Sequence, residues 1–208
     1  MFTRTLLISL PAALALRGGP PDNPFLLPCS SISGTPCRCP YGTDYSETVT
    51  TAIVGASAGD VGSVTGDFFN PAWLGLDLIS VQGPDNFPAL SIRNVNMTTS
   101  IGTYTFSDRL VFRFLYPDGS FEQRYEQIGI ASYRYTNGSF SGYWVTLKGD
   151  RIFENETLLR LSNYACQTER PIDYIAFQEM ALSNVTSILT ARGVATGLST
   201  TPASAGLF

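Results

Sequence analysis

The chain has 208 residues, 44% hydrophobic and 14% charged, with a formal net charge of −4 and no histidine. That length suits one domain with a sizeable core, and that composition excludes a disordered chain. A single lysine, Lys148, and scattered arginines exclude nucleic acid as a partner, because neutralising phosphates needs clustered cations.

Residues 1–16 have the layout of a secretory signal peptide. Arg4 supplies the positive end, Leu6 to Leu14 a short apolar core, and Ala13-Leu14-Ala15 a small-residue cleavage site. The run is too short to span a bilayer, and no later stretch is apolar enough for stable membrane insertion. A soluble mature protein in the secretory lumen or outside the cell is expected. Two further features agree with that compartment. Cys29, Cys37, Cys39 and Cys166 are even in number and allow two disulfides in an oxidising environment. Asn96, Asn137, Asn155 and Asn184 each begin an Asn-X-Ser/Thr glycosylation sequon.

Residues 17–46 are rich in proline, glycine and serine and read as an irregular disulfide-bearing arm. No metal site is expected, since zinc would need more ligands than these cysteines supply and no histidine exists. Glu47 to Gly55 is β-branched and predicts the first strand. Ser57 caps a short helix that carries Val61, Val64 and Phe68 at helical spacing, and Asn70-Pro71-Ala72-Trp73 breaks it into a second short turn. Leu76 to Gln82 and Ala89 to Thr99 predict strands separated by a loop.

From Thr103 to Cys166 the sequence predicts antiparallel strands joined by tight turns. In Arg109 to Tyr116, Leu110, Phe112, Phe114 and Tyr116 share one face, and Arg109 and Arg113 the other. Pro117-Asp118-Gly119-Ser120 supplies turn chemistry. With Tyr116 facing Phe121, the apolar face meets Phe121, Gln123, Tyr125 and Gln127. A second hairpin joins Ala131–Tyr135 to Phe140–Leu147 with Asn137-Gly138 at its tip. Lys148-Gly149-Asp150 reads as a further turn, and Thr157 to Cys166 as the last strand. A long amphipathic helix follows from Ile172 to Arg192, opened by Pro171 and closed by Gly193. Residues 194–208 are Ser/Thr/Ala/Gly-rich and read as a disordered tail. The domain proper is therefore expected over 47–193.

If Asn184 carries a glycan it faces solvent. At about 100° per residue the opposite face of the helix then carries Ile175, Glu179, Leu182, Thr186 and Leu189. Glu179 is thus a candidate general acid or base in apolar surroundings. The bland alternative is that it pairs with an arginine at the edge. Without histidine, Ser-His-Asp and Cys-His nucleophiles are absent. No Gly-rich nucleotide-binding loop occurs, and no cofactor is expected. Lys148 sits in a turn-like stretch and is not a persuasive Schiff-base lysine. Carboxylates, phenols and shape remain.

The order of elements is one strand, two short helices, a meander of about six strands and a long C-terminal helix. It resembles the helix-grip fold of the Bet v 1-like, START-related and polyketide-cyclase group, the SRPBCC superfamily. The stretch Ala58 to Trp73, with Asp67-Phe68 preceding Trp73, is similar to that family's first helices. Tyr116 to Glu126 is similar to its central hairpin. The resemblance spans roughly Thr48 to Gly193. It implies an α+β fold in which a curved antiparallel sheet of about seven strands wraps the long helix around an apolar cavity. It further implies a hydrophobic small molecule, polyketide- or terpenoid-like, as the partner.

Two functions fit that implication. One is a cofactor-independent cyclase or isomerase that folds a reactive secondary metabolite into shape and excludes water. Glu179 and Tyr125 are its candidate acid and base. Trp73, Phe112, Phe114, Tyr143, Gln123 and Gln127 are candidates to line the pocket, although each aromatic is as readily explained by core packing. Tyr143 and Trp144 are strand neighbours, so at most one faces inward. The other function is a secreted carrier without chemistry. A calycin- or dirigent-like barrel is a weaker reading, since it lacks the long helix. In a helix-grip sheet the first and last strands are antiparallel neighbours. The resemblance therefore implies a bridge from Cys166 to Cys39, or failing that Cys37, with Cys29 taking the remaining partner.

Overall fold

In a computed structural model the chain is described over residues 25–99, 102–133, 140–168 and 172–207. The signal-like segment, the Asn137-Gly138 tip and Pro171 lie outside the described residues. Eight strands form one antiparallel sheet: β1 (Asp44–Val54), β2 (Asp77–Gln82), β3 (Ile92–Thr99), β4 (Gly102–Leu115), β5 (Phe121–Tyr133), β6 (Phe140–Phe153), β7 (Glu156–Gln167) and β8 (Ala203–Leu207). Their spatial order is β2-β3-β4-β5-β6-β7-β1-β8. Helix α1 (Ala58–Thr65), a 3-10 turn (Pro71–Leu74) and helix α2 (Tyr174–Ala191) complete the fold. The architecture is the helix grip: α2 lies across the inner face of the sheet against β1, β7, β8, α1 and the 3-10 turn. Among the described residues no helix is long and apolar enough to cross a membrane.

Local chemistry explains the helix ends. Ser57 caps α1 by accepting from the Asp60 amide at 3.1 Å. Asp173 does the same for α2, accepting from Ala176 N at 3.0 Å. At the other end Gly193 adopts φ 73°, and the amides of Gly193 and Val194 bond the carbonyls of Thr190 and Leu189. That closing pattern needs a left-handed residue, which glycine supplies without a Cβ penalty. The inner face of the sheet alternates in phase: Val95 and Met97 on β3, Tyr104, Phe106 and Leu110 on β4, Phe121 and Tyr125 on β5, and Leu159 and Leu161 on β7 are buried. The buried face of α2, with Ala181, Leu182, Val185 and Leu189, closes the core.

Several sequence expectations are corrected. The tail is not disordered throughout, because Ala203–Leu207 pairs with Glu47–Thr51 as an eighth strand. Before it, Gly197 N and Thr200 N bond the carbonyls of Gly55 and Ile53. A Ser/Thr/Gly-rich segment carries little hydrophobic signal, yet it satisfies an otherwise open sheet edge with backbone bonds. Lys148-Gly149-Asp150 is no turn; it lies inside β6 opposite Leu158 to Arg160. Gly149 is there for packing, since a Cβ at that position would stand 2.3 Å from the Phe121 ring. The turn comes at Glu154-Asn155, leaving Asn155 exposed. Phe121–Tyr133 is one long strand rather than two. Across the β4–β5 turn Leu115, not Tyr116, faces Phe121.

The arm is pinned to the outer face. Cys39 bridges Cys166 with Cα atoms 5.4 Å apart, and Cys29 bridges Cys37 at 4.9 Å. The first bond follows from the sheet, in which Tyr45 lies opposite Cys166 in the antiparallel β1–β7 pair. Tyr164 donates to Ser30 O at 2.6 Å and stacks on Trp144 at 5.1 Å, so Trp144 faces outward while Tyr143 faces in. Closing a 127-residue separation contributes roughly 3–5 kcal/mol in the chain-entropy picture. Replacing Cys39 and Cys166 together by alanine is expected to lower stability to denaturant by about that amount. Non-reducing peptide mapping checks the connectivity, and a Cys29–Cys39 link would overturn it.

Candidate functional site

The inner face of β3 and β4 carries charge at two facing positions. Arg93 on β3 lies directly opposite Asp108 on β4, and the two are 2% and 0% exposed. Arg93 Nε donates to Asp108 Oδ2 at 3.1 Å, and Arg93 Nη1 donates to the Phe68 carbonyl at 2.9 Å. Arg93 Nη2 stands 3.0 Å from the same carboxylate. The guanidinium is held between two rings, 4.5 Å from the Phe68 centroid and 4.7 Å from that of Tyr125. Tyr143 on β6 donates its hydroxyl to Asp108 Oδ1 in a short hydrogen bond. A buried ion pair survives when such extra bonds satisfy the remaining donors and lone pairs.

Burial pushes the Asp108 carboxyl above the usual carboxylate range, against the pull of Arg93 and Tyr143. Burial, reinforced by the Asp108 carboxylate, holds the Tyr143 phenol well above its ordinary value. Tyr125 is pushed up to about 12 by burial, with Arg93 opposing. At neutral pH both phenols are therefore neutral hydroxyls.

This cluster forms the charged part of the wall of a cavity under α2, which is otherwise lined by Asn163, Gln178 and apolar residues such as Leu74, Met97, Phe106 and Leu161. Its free volume is about 30 Å³, room for one or two waters. The resemblance implies an apolar cavity that holds a small molecule; in this conformation large aromatic side chains such as Phe106, Tyr125 and Phe177 fill the space. A second cleft of about 280 Å³ opens between α1 and the β4–β5 hairpin, where Gly59, Gly62 and Gly66 face Arg113, Tyr116 and Phe121.

The structure brings Tyr125 and Tyr143 to the cavity and sends most other candidates elsewhere. Glu179 is only half-buried and is absent from the cavity wall; Gln178, 1% exposed, takes the inward position. The wheel was anchored on an outward Asn184, but Asn184 is half-buried and donates to the Trp73 carbonyl at 3.2 Å. That turns the inward face by somewhat less than one residue step of about 100°, so Gln178 replaces Glu179 while Leu182 and Leu189 stay inward. Trp73 packs in the core beneath the 3-10 turn, away from the cavity wall.

Phe112 and Phe114 are 38% and 47% exposed, because a register irregularity between Leu110 and Phe112 flips the alternation. They stack on each other on the outer face, where Arg124 sits 5.3 Å from the Phe112 ring. Gln123 is buried in the second cleft and donates to Gly66 O, while Gln127 is half-buried and donates to Gly129 O. Among the sequons, Asn155 is exposed at its turn, and Asn96 Oδ1 accepts from Thr105 on the outer face.

Arg93, Asp108, Asn163 and Gln178 were missed. For the first two the signal was present: Asp108 is in phase with Leu110, Arg93 is in phase with Val95, and the β3–β4 hairpin places them at mirror positions.

Asp108→Ala strands a buried guanidinium and is expected to cost about 3–5 kcal/mol, whereas Arg93→Met with Asp108→Leu is expected to cost far less. Equal losses in urea titrations would show that the pairing is immaterial. The tyrosines give a pH test. Tyr125 holds its proton up to about pH 12 when folded and releases it near its usual 10.0 when unfolded. Its contribution to stability is therefore complete below the lower value and lost as pH rises through the upper one. In an ultraviolet titration the buried phenols should ionise only together with alkaline unfolding.

The fold has counterparts. A family model described as a START domain matches residues 45–205. Among solved structures, the chain resembles a norcoclaurine synthase point mutant from Thalictrum flavum in complex with a transition-state analogue. They share 12% identity over 74% of this chain and 99% of that one, with a TM-score of 0.52. A protein from Nitrosospira multiformis matches at 13% identity over 71% and 98%, with a TM-score of 0.52. Ara h 8.0201 matches at 10% identity over 72% and 99%, with a TM-score of 0.50. At these identities the likeness is one of fold. No curated protein matches the chain.

Proposed function

The chain belongs to the START-domain family, and on that premise we propose that it takes a hydrophobic small molecule under α2 and promotes its cyclisation or isomerisation without a cofactor. The observation that carries this reading is the Arg93–Asp108–Tyr143 cluster built into the wall of a largely apolar cavity. Entry of a ligand larger than two waters requires Tyr174 and Phe177, on the first turn of α2, to swing aside. The Tyr143 hydroxyl oxygen then accepts a proton from the substrate while its own proton passes to Asp108 Oδ1. Arg93 stays charged and keeps the carboxylate oriented. The proton returns along the same path to the departing or newly formed oxygen. Burial, which raises the carboxyl of Asp108, favours its acting as that reservoir. The likeness to norcoclaurine synthase contributes the scaffold and not the substrate.

A carrier without chemistry is the second reading, favoured by the way Arg93 and Asp108 satisfy each other. We further propose a secretory location with a glycan at Asn155, supported by the two disulfides and the exposed turn. Native mass spectrometry of protein from its own source should find a small apolar adduct released on denaturation; finding none would sink both readings of the cavity. With that compound as substrate, Tyr143→Phe should reduce turnover about 10²-fold or more, while Glu179→Gln should leave it unchanged. Unaltered turnover in Tyr143→Phe, with the ligand still bound, would leave the carrier.

A further inference from the structure

Two side chains in the same cavity wall carry polar atoms that no described residue satisfies. Gln178 Nε2 on α2 and Asn163 Oδ1 on β7 lack hydrogen-bond partners, although the residues are 1% and 3% exposed. The backbone register sets them close together. Gln178 is tied to β1 by Thr50, whose hydroxyl donates to Gln178 Oε1 at 2.7 Å. Thr50 lies opposite Leu161, and its inward neighbour on β1, Thr48, lies opposite Asn163, so the two orphaned atoms belong to adjacent positions on one face. The orientation of the amide is also fixed from behind: the Thr50 hydroxyl is bonded to Ser204 Oγ of β8 at 2.7 Å. Thr50 therefore holds Oε1 and leaves the Gln178 N–H groups for the cavity.

Native folds rarely leave buried polar atoms unpaired, and those that do usually have a water or a ligand to complete them. The void of about 30 Å³ accommodates the water. The wall also defines the charge of what replaces it. Among the described residues, Arg93 and Asp108 are the only charged ones that line the cavity, and they neutralise each other.

We propose that Gln178 and Asn163 form a donor–acceptor pair that selects an uncharged hydrophobic ligand bearing a carbonyl and a hydroxyl group on nearby carbons. The Gln178 N–H donates to the carbonyl oxygen, and the ligand hydroxyl donates to Asn163 Oδ1. Thr50 acts as a positioning residue. The inference rests on the reading of the cavity as a ligand site. It adds that the carbonyl is polarised from α2, across the cavity from the Tyr143–Asp108 proton path.

A matched series of probes separates the two claims: benzoin has both groups, deoxybenzoin only the carbonyl, and bibenzyl neither. Calorimetric titration of the full chain should rank benzoin over deoxybenzoin over bibenzyl, with about tenfold between neighbours. Gln178→Leu should bring deoxybenzoin and bibenzyl to within about twofold. Asn163→Leu should do the same for benzoin and deoxybenzoin, and in both variants bibenzyl binding should persist. Thr50→Val should shrink the carbonyl preference without changing bibenzyl affinity, an effect a purely structural role would not produce. Equal binding of all three by the parent chain, or ratios untouched by these substitutions, would overturn the donor–acceptor pair and leave the cavity reading standing. Failure of every probe to bind would overturn both.

Discussion

The antiparallel pairing of β1 with β7 is the constraint on which the other features depend. It runs from Asp44–Gln167 to Val54–Thr157 and joins the start of the domain to the end of its meander. By laying Tyr45 against Cys166 it puts the arm within reach of a disulfide. By laying Thr48 and Thr50 against Asn163 and Leu161 it builds the floor on which α2 rests, with Gln178 anchored to Thr50. It also leaves the far side of β1 open, and β8 completes it. Sheet, staple, cavity floor and tail all follow from one strand register.

The polar cluster illustrates how such a core tolerates charge. Moving a carboxylate and a guanidinium out of water costs several kcal/mol each, so their attraction alone seldom offsets the loss. Here Phe68 O takes one guanidinium donor, two rings sandwich the cation, and the Tyr143 hydroxyl donates to the second carboxylate oxygen. Each of those partners comes from a different element, namely the segment after α1, then β5 and β6. The cluster therefore couples the docking of the Phe68 segment, between α1 and the 3-10 turn, to the sheet itself.

Much of the architecture was legible in the sequence because it rests on local rules. Alternation marked the strands, Ser57 and Gly193 marked helix ends, and the resemblance to the helix-grip fold implied the β1–β7 pairing and a bridge from Cys166 to Cys39 or Cys37. The site was legible only in part, because its residues depend on phase. One unpaired residue, Val111, sends Phe112 and Phe114 to the outer face although their spacing from Leu110 predicts the inner one. A turn of less than one residue step along α2 exchanges Glu179 for Gln178, and the sequon used as an anchor gave no measure of Asn184's contact with Trp73. Gly149 shows the same ambiguity in another form: glycine marks a turn or a close approach, and only the Phe121 ring opposite decides which. The tail escaped notice because backbone pairing asks little of side chains.

The position of β1 in the sheet has a consequence for synthesis on the ribosome. Both of its neighbours come late in the chain: the nearer, β7, begins at Glu156, and β8 ends at Leu207. During vectorial synthesis the stretch DYSETVTTAIV waits as an open β-template while more than a hundred residues are added. The β2-to-β6 meander, whose partners are local, is free to pair first. Contacts that span so much sequence are slow to close and leave sticky edges exposed meanwhile. Thr and Ser at alternate positions of β1 keep that waiting segment polar enough to stay solvated, and the Thr50 hydroxyl later holds Gln178.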